Sequence, residues 1–280
     1  MINSDEIRGK VAVITGAAGV LCGRFSRELC KRGAKVALLD INGEKAKALE
    51  AELVSEGGEA FAVPCDVLDK ESLKKAHEAV KEKYGECDIL INGAGGNNPR
   101  ATTSKEYFEP GDDLDPDVKS FFDLDPDGVG FVFDLNFKGA LLTTQAFAGG
   151  MLDRGCCIIN ISSMNAFTPL TKIPAYSAAK AAVSNFTMWL AVHFSKCGLR
   201  VNAIAPGFFI TEQNRQLLLK EDGTYTERSE KILRATPDGR FGEPDELIGT
   251  LLYLCDNGAS GFVNGVVVPV DGGFAAYSGV

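Results

Sequence analysis

Short runs that are apolar throughout alternate with longer amphipathic stretches over the first 95 residues, and this alternation sets the expected fold. The runs at 10–15 (KVAVIT), 35–40 (KVALLD), 60–65 (AFAVPC) and 88–92 (DILIN) lack the polar-out alternation of a half-exposed strand. Strands apolar on both faces belong to a parallel sheet covered on both sides. Between them, 23–32 closes at Gly33 and 69–84 has helical spacing, so both read as helices. The rhythm resumes with a strand at 157–161, a long helix over 176–196, a strand at 200–204 and a last strand at 266–270. The chain is therefore expected to be α/β, a Rossmann-type doubly wound parallel sheet with helices on both faces, forming a single domain over 1–280.

Two segments interrupt the rhythm and are expected to face the substrate. Residues 97–127 are rich in Pro, Gly and acids and contain Asp-Leu-Asp-Pro-Asp at 113–117 and again at 123–127. The second copy partly matches a calcium loop, but a helix start accounts for it better, with Asp125 as cap and Pro126 in the first position. From there to 147, Val129, Val132, Phe133, Phe137 and Leu141 give a packing helix. Residues 211–240 form the second polar, charged segment.

Composition narrows the function classes. With 45% hydrophobic and 24% charged residues, the chain has the balance of a soluble globular protein. A formal net charge of −9 argues against nucleic acid and against anionic membrane surfaces as partners. Residues 1–6 show no secretory signal, and no apolar run approaches the roughly 20 residues that span a bilayer, so the cytoplasm is expected. The eight cysteines form no C-x-x-C, and His77 and His193 sit in no ligand spacing; reduced thiols and no metal are expected.

The chemistry concentrates in Tyr176-Ser177-Ala178-Ala179-Lys180, with Ser163 thirteen residues before the tyrosine (176 − 163). Residues i and i+4 on a helix lie one above the other, so the Tyr176 phenol and the Lys180 ammonium serve one site. A phenol with an ordinary pKa of about 10 becomes a usable base only beside positive charge. Tyr176 then exchanges a proton with an alcohol or carbonyl oxygen that the Ser163 hydroxyl holds. Upstream, Thr15-Gly16-Ala17-Ala18-Gly19-Val20-Leu21-Cys22-Gly23 leaves a strand and enters a helix, a place for a dinucleotide pyrophosphate on Gly16, Gly19, Val20 and Leu21. Asp40, followed by Ile41, ends the second strand 24 residues after Gly16 (40 − 16); a carboxylate there binds ribose hydroxyls and repels a 2′-phosphate. No Arg or Lys nearby would neutralise that phosphate, so NAD is favoured over NADP.

With these motifs the whole chain resembles the short-chain dehydrogenase/reductase family, whose reaction is hydride transfer between a nicotinamide and an alcohol or ketone. The resemblance runs from Gly9 to Gly273 and also rests on Cys65-Asp66-Val67, Asn92-Gly93-Ala94-Gly95, Asn136, Ile161-Ser162-Ser163, Pro206-Gly207 with Thr211, and Asp271-Gly272-Gly273. It implies that Asp66 and Val67 lie against the adenine, that Asn92, Gly93, Ala94 and Gly95 line the crevice, and that Lys180 also binds the nicotinamide ribose. It further implies that Asn136 holds a helix kink and a water of the proton relay, and that Pro206, Gly207, Phe209 and Thr211 grip the carboxamide. One departure stands out: the family turn has glycine where this chain has Val20 and Cys22, so the helix is expected to start on a slightly different path.

A narrower resemblance, carried by 19–22, 95–99 with Thr102-Thr103, and 122–126, is to the sugar-acid members acting on D-mannonate and D-fructuronate. Asn97, Asn98, Arg100, Asn165, Lys172 and Arg215 offer amides and cations to a polyhydroxylated carboxylate, with Arg100 the first candidate for its charge. Two rival readings are the same chemistry on another polyol or keto acid such as 5-ketogluconate, and a dinucleotide-binding sensor without catalysis. By resemblance, the 126–147 and 176–196 helices pair across a two-fold axis in a homo-tetramer.

Overall fold

The structure is a computed structural model that describes residues 6–211 and 215–279; positions 1–5, read above for a signal, and 212–214 of the second insertion lie outside the described residues. Seven parallel strands form one sheet, β1 (Val11–Thr15), β2 (Lys35–Asp40), β3 (Glu59–Pro64), β4 (Ile89–Asn92), β5 (Cys157–Ile161), β6 (Arg200–Pro206) and β7 (Val267–Val270), in the order β3-β2-β1-β4-β5-β6-β7. The chain winds outward from β1 in one direction and then, at β4, in the other. The carboxyl ends of β1 and β4 therefore flank the crevice where such sheets bind ligands.

Alternation within each strand feeds two cores. Ala12 and Ile14 of β1 pack with Phe25 and Leu29 of α1 (Val20–Lys31), Leu49 and Leu53 of α2 (Gly43–Ser55) and Leu251 of the 248–255 helix. Val11 and Val13 face the other way, towards Leu73 and Val80 of α3 (Lys70–Tyr84), with Leu142 and Phe147. Each fully buried aliphatic side chain contributes about 1.5–3 kcal/mol, which is why both faces of the strands had to be apolar.

The helix expected over 126–147 is interrupted. It runs as α4 (Pro126–Phe133), one turn of π-helix at Asp134–Lys138, and α5 (Gly139–Phe147). Asp125 caps α4 by accepting from the Asp127 and Gly128 amides, with Pro126 in the first turn, as expected for the second acidic repeat. The long catalytic-motif helix, α6 (Pro174–His193), starts two residues earlier than the motif itself. The second insertion carries the four-residue α7 (Arg215–Leu218) and the amphipathic α8 (Glu227–Ala235), followed by α9 (Ile248–Cys255) and α10 (Asn257–Ser260). No helix among the described residues is long and apolar enough to cross a membrane.

Candidate functional site

The crevice is built first by Thr15, whose importance the sequence did not show. Its hydroxyl accepts from the Gly93 and Ala94 amides at 3.1 and 3.2 Å and donates to the Ile91 carbonyl at 3.4 Å, tying the ends of β1 and β4 together. Gly16 follows at φ +64, and a Cβ there would come within 3.0 Å of Ala94 backbone, so the turn requires glycine. α1 begins at Val20 behind Gly19, with no side-chain cap and no acidic residue in its first turn. Its amide N–H groups and the positive end of its dipole are thus available to an anion.

The Val20 and Cys22 departure leaves the helix regular: the Gly23 amide donates to the Gly19 carbonyl at 2.7 Å. Cys22 is buried, and its sulfur takes the room that a Cβ on Gly93 would need. Burial pushes the Cys22 thiol up to about 12, so it serves as packing rather than as a nucleophile. Asp40 holds the turn to β2: one carboxylate oxygen accepts from the Ala18 amide at 2.9 Å and the other from the Asn42 amide at 2.8 Å. Each oxygen retains acceptor capacity. Ile41 beside it is 76% exposed.

Farther along the crevice, Asp66 accepts from the Leu68 amide, and Val67 is buried close to Gly139 at the start of α5. The Asn92 side chain turns away from the crevice: it donates to Thr144 at 3.0 Å and to Asn160 at 2.8 Å inside the protein. Asn92 thus fixes β4 against β5 and α5, leaving Gly93, Ala94 and Gly95 to form the crevice wall. At the far side, the Gly207 amide donates to the Val270 carbonyl, while the Phe209 ring is buried against Gly242, so Phe209 can meet a ligand only through its backbone. Pro206 ends β6 and Thr211 borders the undescribed 212–214.

The catalytic-type side chains converge from three elements. In the π turn, the Gly139 amide donates to the Asp134 carbonyl, five residues back. That wider turn brings the buried Asn136 amide to Gly96, donating to its carbonyl at 2.7 Å and accepting from its N–H at 3.2 Å. Ser163 follows β5, accepts from the Asn165 amide at 3.2 Å, and its hydroxyl acts on the Tyr176 phenol, favouring the ionised form. Neighbouring Ser162 points the opposite way, to the Lys180 carbonyl and to Ser184 at 2.7 Å, so it fixes α6 while Ser163 faces the site. Lys180 is buried; its ammonium donates to the Ile161 carbonyl at 2.8 Å and lies 5.6 Å from the centre of the Tyr176 ring. A Cβ on Gly95 would lie 2.6 Å from Asn136 Oδ1 and 3.1 Å from Lys180 Nζ, so both head groups meet above that backbone.

Burial disfavours both charged forms. It pushes the Tyr176 phenol up to about 12, against the pull of the Ser163 hydroxyl, and the Lys180 ammonium down to about 8. At neutral pH the site therefore holds a protonated phenol beside a cationic lysine. Lysine loses its proton before tyrosine does, so stabilising a phenolate requires positive charge beyond Lys180.

The expected substrate residues divide. Asn165 is buried beside Ser163 with an unpartnered Oδ1, and Lys172 lines a cleft of about 470 Å³ between the two insertions. Asn97 donates to Thr102, and Asn98 caps the 99–101 turn by accepting from the Arg100 amide. Arg215 is exposed at the start of α7 and does not line that cleft. Arg100 departs from the expected free cation: its guanidinium donates to Asp125 at 2.6 Å, tying the first insertion to the cap of α4. Arg100→Ala should therefore lower the melting temperature slightly and change kcat/KM for charged and uncharged substrates together. A loss confined to charged substrates would return Arg100 to the carboxylate.

Known proteins share this fold over nearly the whole chain. The family model for short chain dehydrogenase matches residues 10–222. An uncharacterized oxidoreductase of Haemophilus influenzae is 56% identical over 278 residues, 99% of this chain and 97% of the relative. A crystal structure from that genus with bound NAD, named a candidate D-mannonate oxidoreductase, has a TM-score of 0.94 at 56% identity, covering 98% of this chain and 97% of that one. The 5-keto-D-gluconate 5-reductase of Escherichia coli is 32% identical over 269 residues, 96% of each chain.

Proposed function

This chain belongs to the short chain dehydrogenase family, and from that premise we propose that it is an NAD-dependent oxidoreductase of sugar acids that interconverts D-mannonate and D-fructuronate. The observation that carries the reaction class is the buried Lys180 ammonium 5.6 Å from the centre of the Tyr176 ring, with the Ser163 hydroxyl acting on the same phenol. The substrate class is supported by the cleft that Lys172, Arg228 and Lys231 line, whose 170–173 wall runs into α6, and by the neighbour named for D-mannonate.

The residues fit a dinucleotide. The uncapped start of α1 suits the pyrophosphate, Asp40 the adenosine ribose, the Asp66–Val67 segment the adenine, and Gly93 to Gly95 with the backbone from Pro206 to Thr211 the nicotinamide end. When bound, NAD supplies the hydride carrier and, in its oxidised form, the positive charge that the free site lacks. In carbonyl reduction, Ser163 holds the substrate oxygen and Tyr176 gives it a proton; in alcohol oxidation, Tyr176 takes that proton back. Lys180 keeps positive charge over the phenol ring and would hold the nicotinamide ribose. Asn136, clamped to Gly96, keeps the π turn open against the crevice loop.

We also place the unit in a homo-oligomer, because Phe186 and Trp189 on α6 stack beside Phe137 on a half-open face, with Trp189 55% exposed.

Cofactor choice tests the Asp40 assignment. Asp40→Ser should lower the ratio of kcat/KM with NADH to that with NADPH by about tenfold or more, about 1.4 kcal/mol. An unchanged ratio would mean that another group reads the ribose. The reaction itself is tested by following NADH and NADPH absorbance with D-fructuronate, 5-keto-D-gluconate, neutral ketoses and a hydroxysteroid. D-Fructuronate should give the highest kcat/KM. Dinucleotide binding with no turnover on any of them would sink the enzymatic reading.

A further inference from the structure

The cleft between the two insertions has more positive charge than its own residues neutralise. One wall is 170–173, which runs directly into α6 and stops three residues before Tyr176; another is α8. Lys172, Arg228 and Lys231 line it against Glu106 and Glu227. Lys231 is matched, 3.1 Å from Glu106 and 3.7 Å from Glu227, and the Glu106 contact ties α8 to the first insertion. Among the described residues, neither Lys172 nor Arg228 has an ion-pair partner. Arg228 also sits in the first turn of α8, where the helix dipole disfavours a cation. In a chain of formal charge −9, a cleft whose three cations outnumber its two acids, with Lys172 and Arg228 outside any ion pair among the described residues, is a local anion site.

We propose that Arg228, together with Lys172, binds the substrate carboxylate and sets the preference for acids over neutral sugars. This deepens the sugar-acid reading above and rests on it. The geometry is that of a two-ended site. Ser163 and Tyr176 take the reacting oxygen at the inner end. The planar Arg228 fork takes a carboxylate in two hydrogen bonds at the outer end, with Lys172 adding a point charge from the other wall. The apolar side of the cleft, with Ile173, Phe208 and Phe274, fits the carbon backbone. Arg100 is held elsewhere by Asp125, which leaves this pair as the cationic end of the cleft.

The test is steady-state kinetics of wild type, Arg228→Gln, Arg228→Lys, Lys172→Gln and the control Arg234→Gln, each on D-fructuronate and on an uncharged ketose with NADH. Arg234 lies on the same helix outside the cleft, where it is 74% exposed beside Glu230, so its removal should leave the acid-to-ketose ratio of kcat/KM as it is. Arg228→Gln should lower that ratio ten- to a hundredfold, chiefly through KM for the acid. Arg228→Lys should recover part of the ratio, and Lys172→Gln should lower it less. If wild type prefers acids and Arg228→Gln keeps the same ratio, the carboxylate is bound elsewhere and this proposal fails alone. If wild type shows no preference for acids, the sugar-acid reading fails and takes this proposal with it. Thermal melts of each variant separate loss of folding from loss of recognition.

Discussion

Tyr176→Phe should reduce turnover about a hundred- to ten-thousandfold while NADH binding stays within about twofold of wild type. The substitution removes one oxygen and keeps the ring that packs against Ala175, Ala179 and Val132. What is lost is the proton carrier, and Ser163 can hold a substrate oxygen but cannot protonate it. Ketone reduction should suffer most at neutral pH, because the wild-type phenol, pushed up to about 12, is then fully protonated and ready to donate. The measurement is single-turnover oxidation of bound NADH, with binding followed separately by NADH fluorescence. Retention of more than about a tenth of wild-type turnover, under conditions where chemistry limits the rate, would remove Tyr176 from its assigned role.

The difference between what the chain disclosed and what it hid follows from the range of the interactions. Strands buried on both faces must be apolar throughout, so β1, β2, β4 and β5 stand out in the sequence as unbroken runs. The i, i+4 placement of Tyr176 and Lys180 is equally local, since helix geometry alone puts both on one side. α9 is harder to see: Ile-Gly-Thr-Leu-Leu-Tyr-Leu-Cys is apolar on nearly every side, and periodicity cannot tell a buried helix from a strand. The π turn in the 126–147 helix leaves no mark on the apolar spacing, because it is fixed by the Asn136 contacts to Gly96, 40 residues away.

Side-chain partnership is the least legible feature. Arg100 looks like a free fork in the sequence, yet its partner Asp125 lies 25 residues on, in the segment read correctly as a helix cap. Asn92 sits within the crevice motif but is turned inward by Thr144 and Asn160, which belong to other elements. Thr15 looks like the last residue of a strand until the fold brings Gly93 and Ala94 to its hydroxyl. Arg228 carries no motif at all. It stands out only when the cations of one cleft are counted against its acids.

Lys180→Met should cut turnover about a hundredfold or more and, unlike Tyr176→Phe, should also weaken NADH binding. The ammonium has two assigned tasks: it sets the potential at the phenol and it binds the nicotinamide ribose. Methionine preserves the length of the side chain, so the packing near Gly95 is kept and the charge is what goes. Wild-type pH dependence supplies an independent reading of the same group. Burial brings the Lys180 ammonium down to about 8, so the cation is present below that value and is lost as pH rises through it. Loss of the cation makes a phenolate harder to form, and the Tyr176 phenol stays protonated well above that pH. Carbonyl reduction under kcat/KM conditions should therefore hold level up to about pH 8 in the free enzyme and then fall, while the residual activity of Lys180→Met should show no step there. Because kcat/KM reports ionisations of the free enzyme, a bound cofactor that moves the Lys180 value should displace the step in kcat and leave it in place in kcat/KM for NADH. A wild-type profile that stays flat to pH 10, or a Lys180→Met variant that binds NADH as tightly as wild type, would show that the buried lysine only holds the Ile161 carbonyl and supports α6.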